Sequence, residues 1–213
     1  MRHMTESVLL VTGFEPFGAH SENPSQQLAK AVDGRRVHDH VVRGEVLSVH
    51  HADAAARVAA LVSELRPRAI VQLGLANGRA RVALERAALN VLDYPIADNA
   101  GHRIVGEPCV PGGPAAYLST LPLTAMLAAL AADGVPAYIS NTAGTYLCNQ
   151  VMYATLHGLA SLARPPRAGF VHFPSLPSMV VASGLDEASM DLPLMLRALE
   201  VILDVVARDV TDA

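Results

Sequence analysis

The stretch AYISNTAGTYLCNQVMYATLHGL, Ala137 to Leu159, decides the reading of the fold. Ala137, Tyr138 and Ile139 suit a short buried strand. Asn141-Thr142-Ala143-Gly144 breaks it, and Leu147, Val151, Met152, Leu156 and Leu159 then recur with helical spacing. Cys148 falls within about a turn of the expected helix start, where unpaired N–H groups and the positive end of the helix dipole favour a thiolate. Strand, glycine turn and helix with a nucleophile at the top is a recurring way to present an attacking atom. The competing reading is a small buried hydrophobe, the usual role of a free cysteine.

Outward from this stretch, the chain reads as alternating strands and helices. Towards the N-terminus, Val8 to Thr12 is an apolar, β-branched run that suits a central strand. Gly13-Phe14-Glu15-Pro16-Phe17-Gly18 follows and holds two of the four phenylalanines. It is either a loop anchored by aromatic packing or two rings lining a pocket at a strand's C-terminal end, where open α/β sheets place ligands. No glycine cluster matches a phosphate or dinucleotide fingerprint. Asn23 is a natural N-cap with Pro24 at the first helical position, opening a helix through Val32. Two strands are expected at Val37 to Val42 and Glu45 to Val49, then an alanine-rich helix from His50 to Leu65, which Arg66-Pro67 stops. Ala69 to Leu73 reads as another buried strand and Arg81 to Val91 as an extended run carrying Glu85. The residues from Leu92 to Ala115 are rich in Gly, Pro and Asp and read as long loops. Pro122 to Ala132 reads as a helix. Beyond Leu159, a linker at Arg164-Pro165-Pro166 precedes a short strand, Gly169 to His172. A rigid loop from Phe173 to Pro177 and a terminal helix over Ser189 to Val210 complete the chain. This order implies an α/β sheet with helices on its faces, in one domain spanning 1–213.

Composition narrows the function. Hydrophobic residues make up 51% and charged ones 17%, which leaves little scope for disorder and supports a well-buried sheet. A net charge of −4 without a basic stripe argues against nucleic acid as a partner. Met1 to Glu6 is polar, Val8 to Val11 is too short for a signal-peptide core, and no segment approaches the ~20 apolar residues of a membrane span. With only Cys109 and Cys148 there is no disulfide framework or four-cysteine zinc site, and the expected setting is the reducing cytoplasm. Cys109 reads as buried or loop-packed. Of nine histidines, His38 and His40 share a strand face, but no third ligand at suitable spacing accompanies them, so no metal is expected.

A cysteine after one strand, a histidine (His172) ending a later one and a carboxylate (Glu85) on an earlier one are the parts of a cysteine-nucleophile triad. Strand ends gather along one edge of a parallel sheet, so the three are able to meet. The local pattern leaves Glu85 equally able to pair with Arg81 or Arg86.

The sequence resembles the pyroglutamyl peptidase I, or pyrrolidone-carboxylate peptidase, family. The resemblance rests on Val11 to Gly18 with Asn23-Pro24-Ser25; Glu85-Arg86 with Asn90; Asp98-Asn99; Gly113 to Tyr117; Ser140 to Asn149; and Gly169 to His172 with Pro174. It implies a three-layer α/β/α sandwich with a twisted sheet, no cofactor, and often a homotetramer. It assigns Cys148 as nucleophile, His172 as general base and acid, and Glu85 as the carboxylate that orients His172. It places Phe14, Phe17, Asn23 and Tyr146 around a pyroglutamyl ring, the substrates being peptides with N-terminal pyroglutamate. Two departures stand out: Leu75 where many members have glutamine, and Pro95 where many have arginine. Both remove polar groups, and losing one oxyanion donor costs about 10²–10³ in turnover. A related amidase of altered acyl specificity and a catalytically weak homologue that binds the same ligands are the alternatives.

Overall fold

The computed structural model describes residues 7–211. The polar stretch Met1 to Glu6 lies outside them. A seven-stranded sheet forms the centre. Its middle consists of β1 (Ser7–Phe14), β3 (His40–Leu47), β4 (Ala69–Leu75) and β11 (Arg167–Phe173), all parallel to one another. β1, β4 and β11 are buried on both faces and correspondingly rich in Val, Leu and Ile. β2 (Arg36–Val37) closes one edge antiparallel to β3. At the other edge β5 (Val82–Glu85) joins β11 antiparallel, and β10 (Ala137–Ser140) lies parallel to β5.

Helices cover both faces. α1 (Pro24–Val32), α3 (Leu123–Ala132) and α6 (Leu192–Thr211) bury Leu28, Met126, Leu199 and Ile202 against Leu9, Val11 and Val71. α2 (Asp53–Leu65) and α4 (Leu147–Leu159) bury Val58, Leu61, Val151 and Met152 against Leu10, Ile70 and Phe170. Alternate residues of each strand thus feed two separate cores, giving the expected α/β/α sandwich with a mostly parallel sheet.

Several boundaries differ from the sequence reading. The two strands expected over residues 37–49 are one long strand, β3, preceded by a tight turn in which His38 takes a positive φ of 51°. Gly44 does not interrupt β3 but lets α1 lie on it. A Cβ there would sit 2.1 Å from the carbonyl oxygen of Ala29, and one on Gly13 would sit 2.0 Å from that of Ser25. α2 starts at Asp53, leaving His50 and His51 in the preceding turn. The run from Arg81 to Val91 divides at Arg86, because β5 stays in the main sheet while β6 (Ala87–Leu89) leaves to pair with β9 (Ala116–Leu118). The loop region also contains the small pair β7 (Leu92–Asp93) and β8 (Val105–Glu107). The loop expected over Phe173 to Pro177 gives way at Pro177 to a short helix, α5 (Pro177–Ser183), with proline at its first position.

Candidate active site

The site lies on the α2/α4 face of the sheet, at the C-terminal ends of β4 and β11. Gly74 on β4 is the lateral partner of His172 on β11. Neighbouring strands are about 4.8 Å apart and partnered residues share a face. The Sγ of Cys148 occupies the place where a Gly74 side chain would stand, 2.9 Å from the position of its Cβ. Thiol and imidazole therefore emerge side by side, and Gly74 is glycine because its side-chain space is taken by the thiol and the Phe170 ring.

His172 is buried, and its Nδ1 is 2.8 Å from Oε1 of Glu85. An ionised carboxylate only accepts, so Nδ1 carries the proton shared with Glu85. The ring is braced by Phe170, centroid to centroid 4.7 Å. Glu85 is fully buried and also accepts from Arg79 Nη1 at 2.9 Å. Burial opposes its ionisation. The hydrogen bond and charge of His172, helped by Ser140 and Arg79, outweigh that and hold the carboxyl below its ordinary range.

The route by which these residues meet differs from the expected one. β5 and β10 run opposite to β11, so their ends do not gather with those of β4 and β11. Glu85 faces Phe170 directly across the β5–β11 pair and reaches His172 as its diagonal neighbour. Cys148 does not stand at the tip of β10. Residues 141–146 carry the chain back, and α4 begins beside Gly74 with Cys148 as its second residue. The first turn of α4 is held by the buried Asn149. Its Oδ1 accepts from the Leu89 N–H at 2.8 Å, and its Nδ2 donates to Leu89 O and Val91 O at 2.9 and 3.0 Å. Tyr146 stands at the N-cap without a side-chain bond, so it leaves the first-turn N–H groups uncapped.

The electrostatics correct the expectation of a resting thiolate. Burial first, and the Glu85 charge second, push the Cys148 thiol up to about 12; its own N–H and Arg79 pull the other way and lose. One helix terminus does not offset desolvation here. Cys109 is a packed loop residue whose S–H points at Leu89 O and Val91 O, 3.4 and 3.5 Å away, and burial pushes its thiol up to about 11.

Beside Cys148 a narrow cleft with about 10 Å³ of free space is lined by Phe14, Phe17, Asn23, Val49, Tyr146 and Leu75, among others. It is smaller than the ~300–1,000 Å³ typical of drug-sized ligands. Phe17 and Tyr146 face each other with centroids 6.0 Å apart. Asn23 is the expected N-cap and also lies in the cleft wall. Its Oδ1 accepts from Ser25 N at 3.0 Å and Ser25 Oγ at 2.8 Å, and its Nδ2 donates to Glu15 O at 3.1 Å. Leu75 ends β4 in the cleft wall, whereas Pro95 is exposed. A larger cleft between Arg66, Arg68, Arg164 and Arg167 lies at the N-terminal ends of β4 and β11, away from this chemistry. Sequence reasoning did not single out Arg79, Asn149 or Gly74, whose contacts form only between distant elements.

Fold and site together define an α/β sandwich with a cysteine beside a buried histidine–carboxylate pair and a small aromatic cleft. The pyroglutamyl peptidase family model matches residues 7–209. A pyrrolidone-carboxylate peptidase of Pyrococcus furiosus is 42% identical over 200 residues, covering 92% of this chain and 96% of its own. Another, from Gloeobacter violaceus, is 43% identical over 197 residues, covering 92% and 95%. The pyrrolidone carboxyl peptidase structure from Thermococcus litoralis superposes with a TM-score of 0.93 at 37% identity, covering 97% of this chain and 96% of that one. A crystal structure of the Pyrococcus furiosus enzyme gives 0.92 at 41%, covering 95% and 99%. The chain belongs to the pyroglutamyl peptidase family.

Proposed function

We propose that this protein, a single catalytic domain, is a cysteine omega-peptidase that hydrolyses the amide bond after an N-terminal pyroglutamyl residue. The observation that carries the reading is the Glu85–His172 pair beside the Cys148 thiol, opening onto a small aromatic cleft. Cys148 Sγ attacks the pyroglutamyl carbonyl carbon as its proton passes to Nε2 of His172. Glu85 fixes the tautomer and stabilises the imidazolium. The oxyanion is held by first-turn N–H groups of α4. His172 then returns the proton to the departing amine, leaving a thioester. Water, deprotonated by His172, attacks that thioester and releases pyroglutamate and the thiol.

Selectivity follows from the cleft. Phe14, Phe17 and Tyr146 offer aromatic walls to the lactam ring, and Asn23 has a second Nδ2 proton for its carbonyl. An ordinary, positively charged N-terminus would lose its hydration there with no carboxylate among the lining residues to replace it. No metal or cofactor enters these steps. Two free cysteines suit a reducing cytoplasm. A homotetramer is supported by the family resemblance and by exposed apolar side chains, Val181 at 82% and Leu185 at 59%.

The test is release of a fluorescent amine from a pyroglutamyl amide by the wild-type chain and by Cys148→Ala. Turnover lost at least about 10³-fold in the variant is expected. Equal turnover in both would refute the nucleophile. A folded, reduced wild type that spares the lactam but cleaves other acyl amides would favour an altered amidase, with Leu75→Gln as the first reversion.

A further inference from the structure

Beyond the cleft's aromatic wall, a second cluster gathers side chains that the proposed peptidase chemistry does not use. His50 and His51, in the turn before α2, meet Asp98 and His102 from the loop between β7 and β8. One donor atom from each lies within 4.8 Å of all the others. The imidazole centroids are 4.5 to 5.5 Å apart, and the two segments are joined across 46 residues of chain. We propose that His50, His51, His102 and Asp98 form a binding site for one divalent late transition ion of the Zn²⁺ class.

Three points carry this. The donor set, three imidazoles and one carboxylate, is of the kind Zn²⁺ takes in tetrahedral sites. Tetrahedral bonds of about 2.0–2.1 Å require donors roughly 3.4 Å apart, which small rotations of the half-exposed histidines supply. Asp98 is prepared as an anion. Its side chain is buried and accepts from the backbone N–H groups of His51, Ala100 and His102 at 2.8–3.0 Å. The Nδ1 atoms of His51 and His102 lie 3.2 and 3.3 Å from the same carboxylate, so these donors are already gathered around one point. The nearby anion Asp53, 3.0 Å from His50 Nδ1, adds to the negative field.

The ion would act as a clamp on the cleft. Asn99, next to Asp98, donates its N–H to Val49 O at 2.9 Å, and Ala97 O accepts from the Tyr146 hydroxyl at 3.1 Å. Gln150, on α4, donates to His51 O at 2.8 Å. A metal bridging residues 50–51 to 98–102 would therefore fasten the wall that carries Val49 and Tyr146. This proposal is independent of the peptidase reading, because its readouts are binding and stability.

The test uses Cys148→Ala, so that the site thiol does not compete for metal. Chelator-stripped protein is titrated with Zn²⁺ against a chromophoric competitor, and with Co²⁺ followed by visible absorption. One ion per chain is expected, with a Co²⁺ spectrum of four or five coordination lacking a thiolate charge-transfer band. His102→Gln and His50→Gln should each weaken binding at least about 10-fold, while His38→Gln should leave it unchanged. Zn²⁺ at 100 times its Kd should raise the unfolding midpoint by about 5–10 °C in the parent and not in the double variant. The variants' unfolding midpoints in chelator should match the parent's, which separates lost ligands from lost folding. Absence of saturable binding, or equal affinity in parent and double variant, would overturn the site.

Discussion

In the resting site the Cys148 proton is held by two influences, burial of the sulfur and the Glu85 charge, which together push the thiol up to about 12. Handing that proton to His172 would offset both, because the net charge of the site is unchanged and an imidazolium then pairs with Glu85 and faces the sulfur. On the proposed mechanism, reactivity at Cys148 depends on this proton transfer to His172. Iodoacetamide labelling followed by peptide mass analysis checks this. His172→Ala should slow Cys148 alkylation about 10²-fold, in the range of lost base assistance. Cys109 should label slowly and alike in both proteins. Identical Cys148 rates would mean that His172 does not share its proton. The residues themselves were legible early: Cys148 from its position, His172 from a strand end. Glu85 was ambiguous between Arg81 and Arg86 by local pattern. Its actual partners are His172 and Arg79, from a neighbouring strand and a turn.

At the scale of elements, close backbone approaches decide where the helices sit. α1 rests on β1 and β3 through Gly13 and Gly44, where added side chains would strike main-chain carbonyls. Main chain cannot swing aside as a side chain can, so Gly44→Ala should cost about 2–3 kcal/mol in urea unfolding. Gly158, on the exposed side of α4 with nothing within 4 Å of an added Cβ, is the contrast. Gly158→Ala should be neutral or stabilising by up to ~1 kcal/mol, from helix propensity alone. Similar losses at both positions would remove the packing explanation for Gly44. The elements most visible in sequence were those with strong periodicity, such as α6, whose Leu199, Leu203 and Val206 form one buried face. The division of residues 81–91 at Arg86 was not visible, because β5 and β6 are both extended and only their partners differ.

For the whole molecule, Val181 on α5 and Leu185 just beyond it are exposed apolar surface, which the tetramer proposal places at a contact between copies. The chain is 22.4 kDa, so light scattering at micromolar concentration should report a particle of about 90 kDa if four copies associate. Val181→Asp should lower that mass without abolishing the fold. A monomer in the unmodified protein would end the tetramer proposal and leave the site chemistry untouched. The α/β class, the two-faced burial of the central strands, the N-cap at Asn23 and the candidacy of Cys148 and His172 were all legible in sequence. Each rests on hydrophobic periodicity or on residue type within a short window. The tertiary structure alone decided the antiparallel entry of β5 and the return of the chain over residues 141–146. It also decided the seating of Sγ over Gly74 and the meeting of His50 and His51 with Asp98 and His102. These are pairings between segments distant in the chain. A local pattern fixes which face a residue shows, but not which neighbour that face will find.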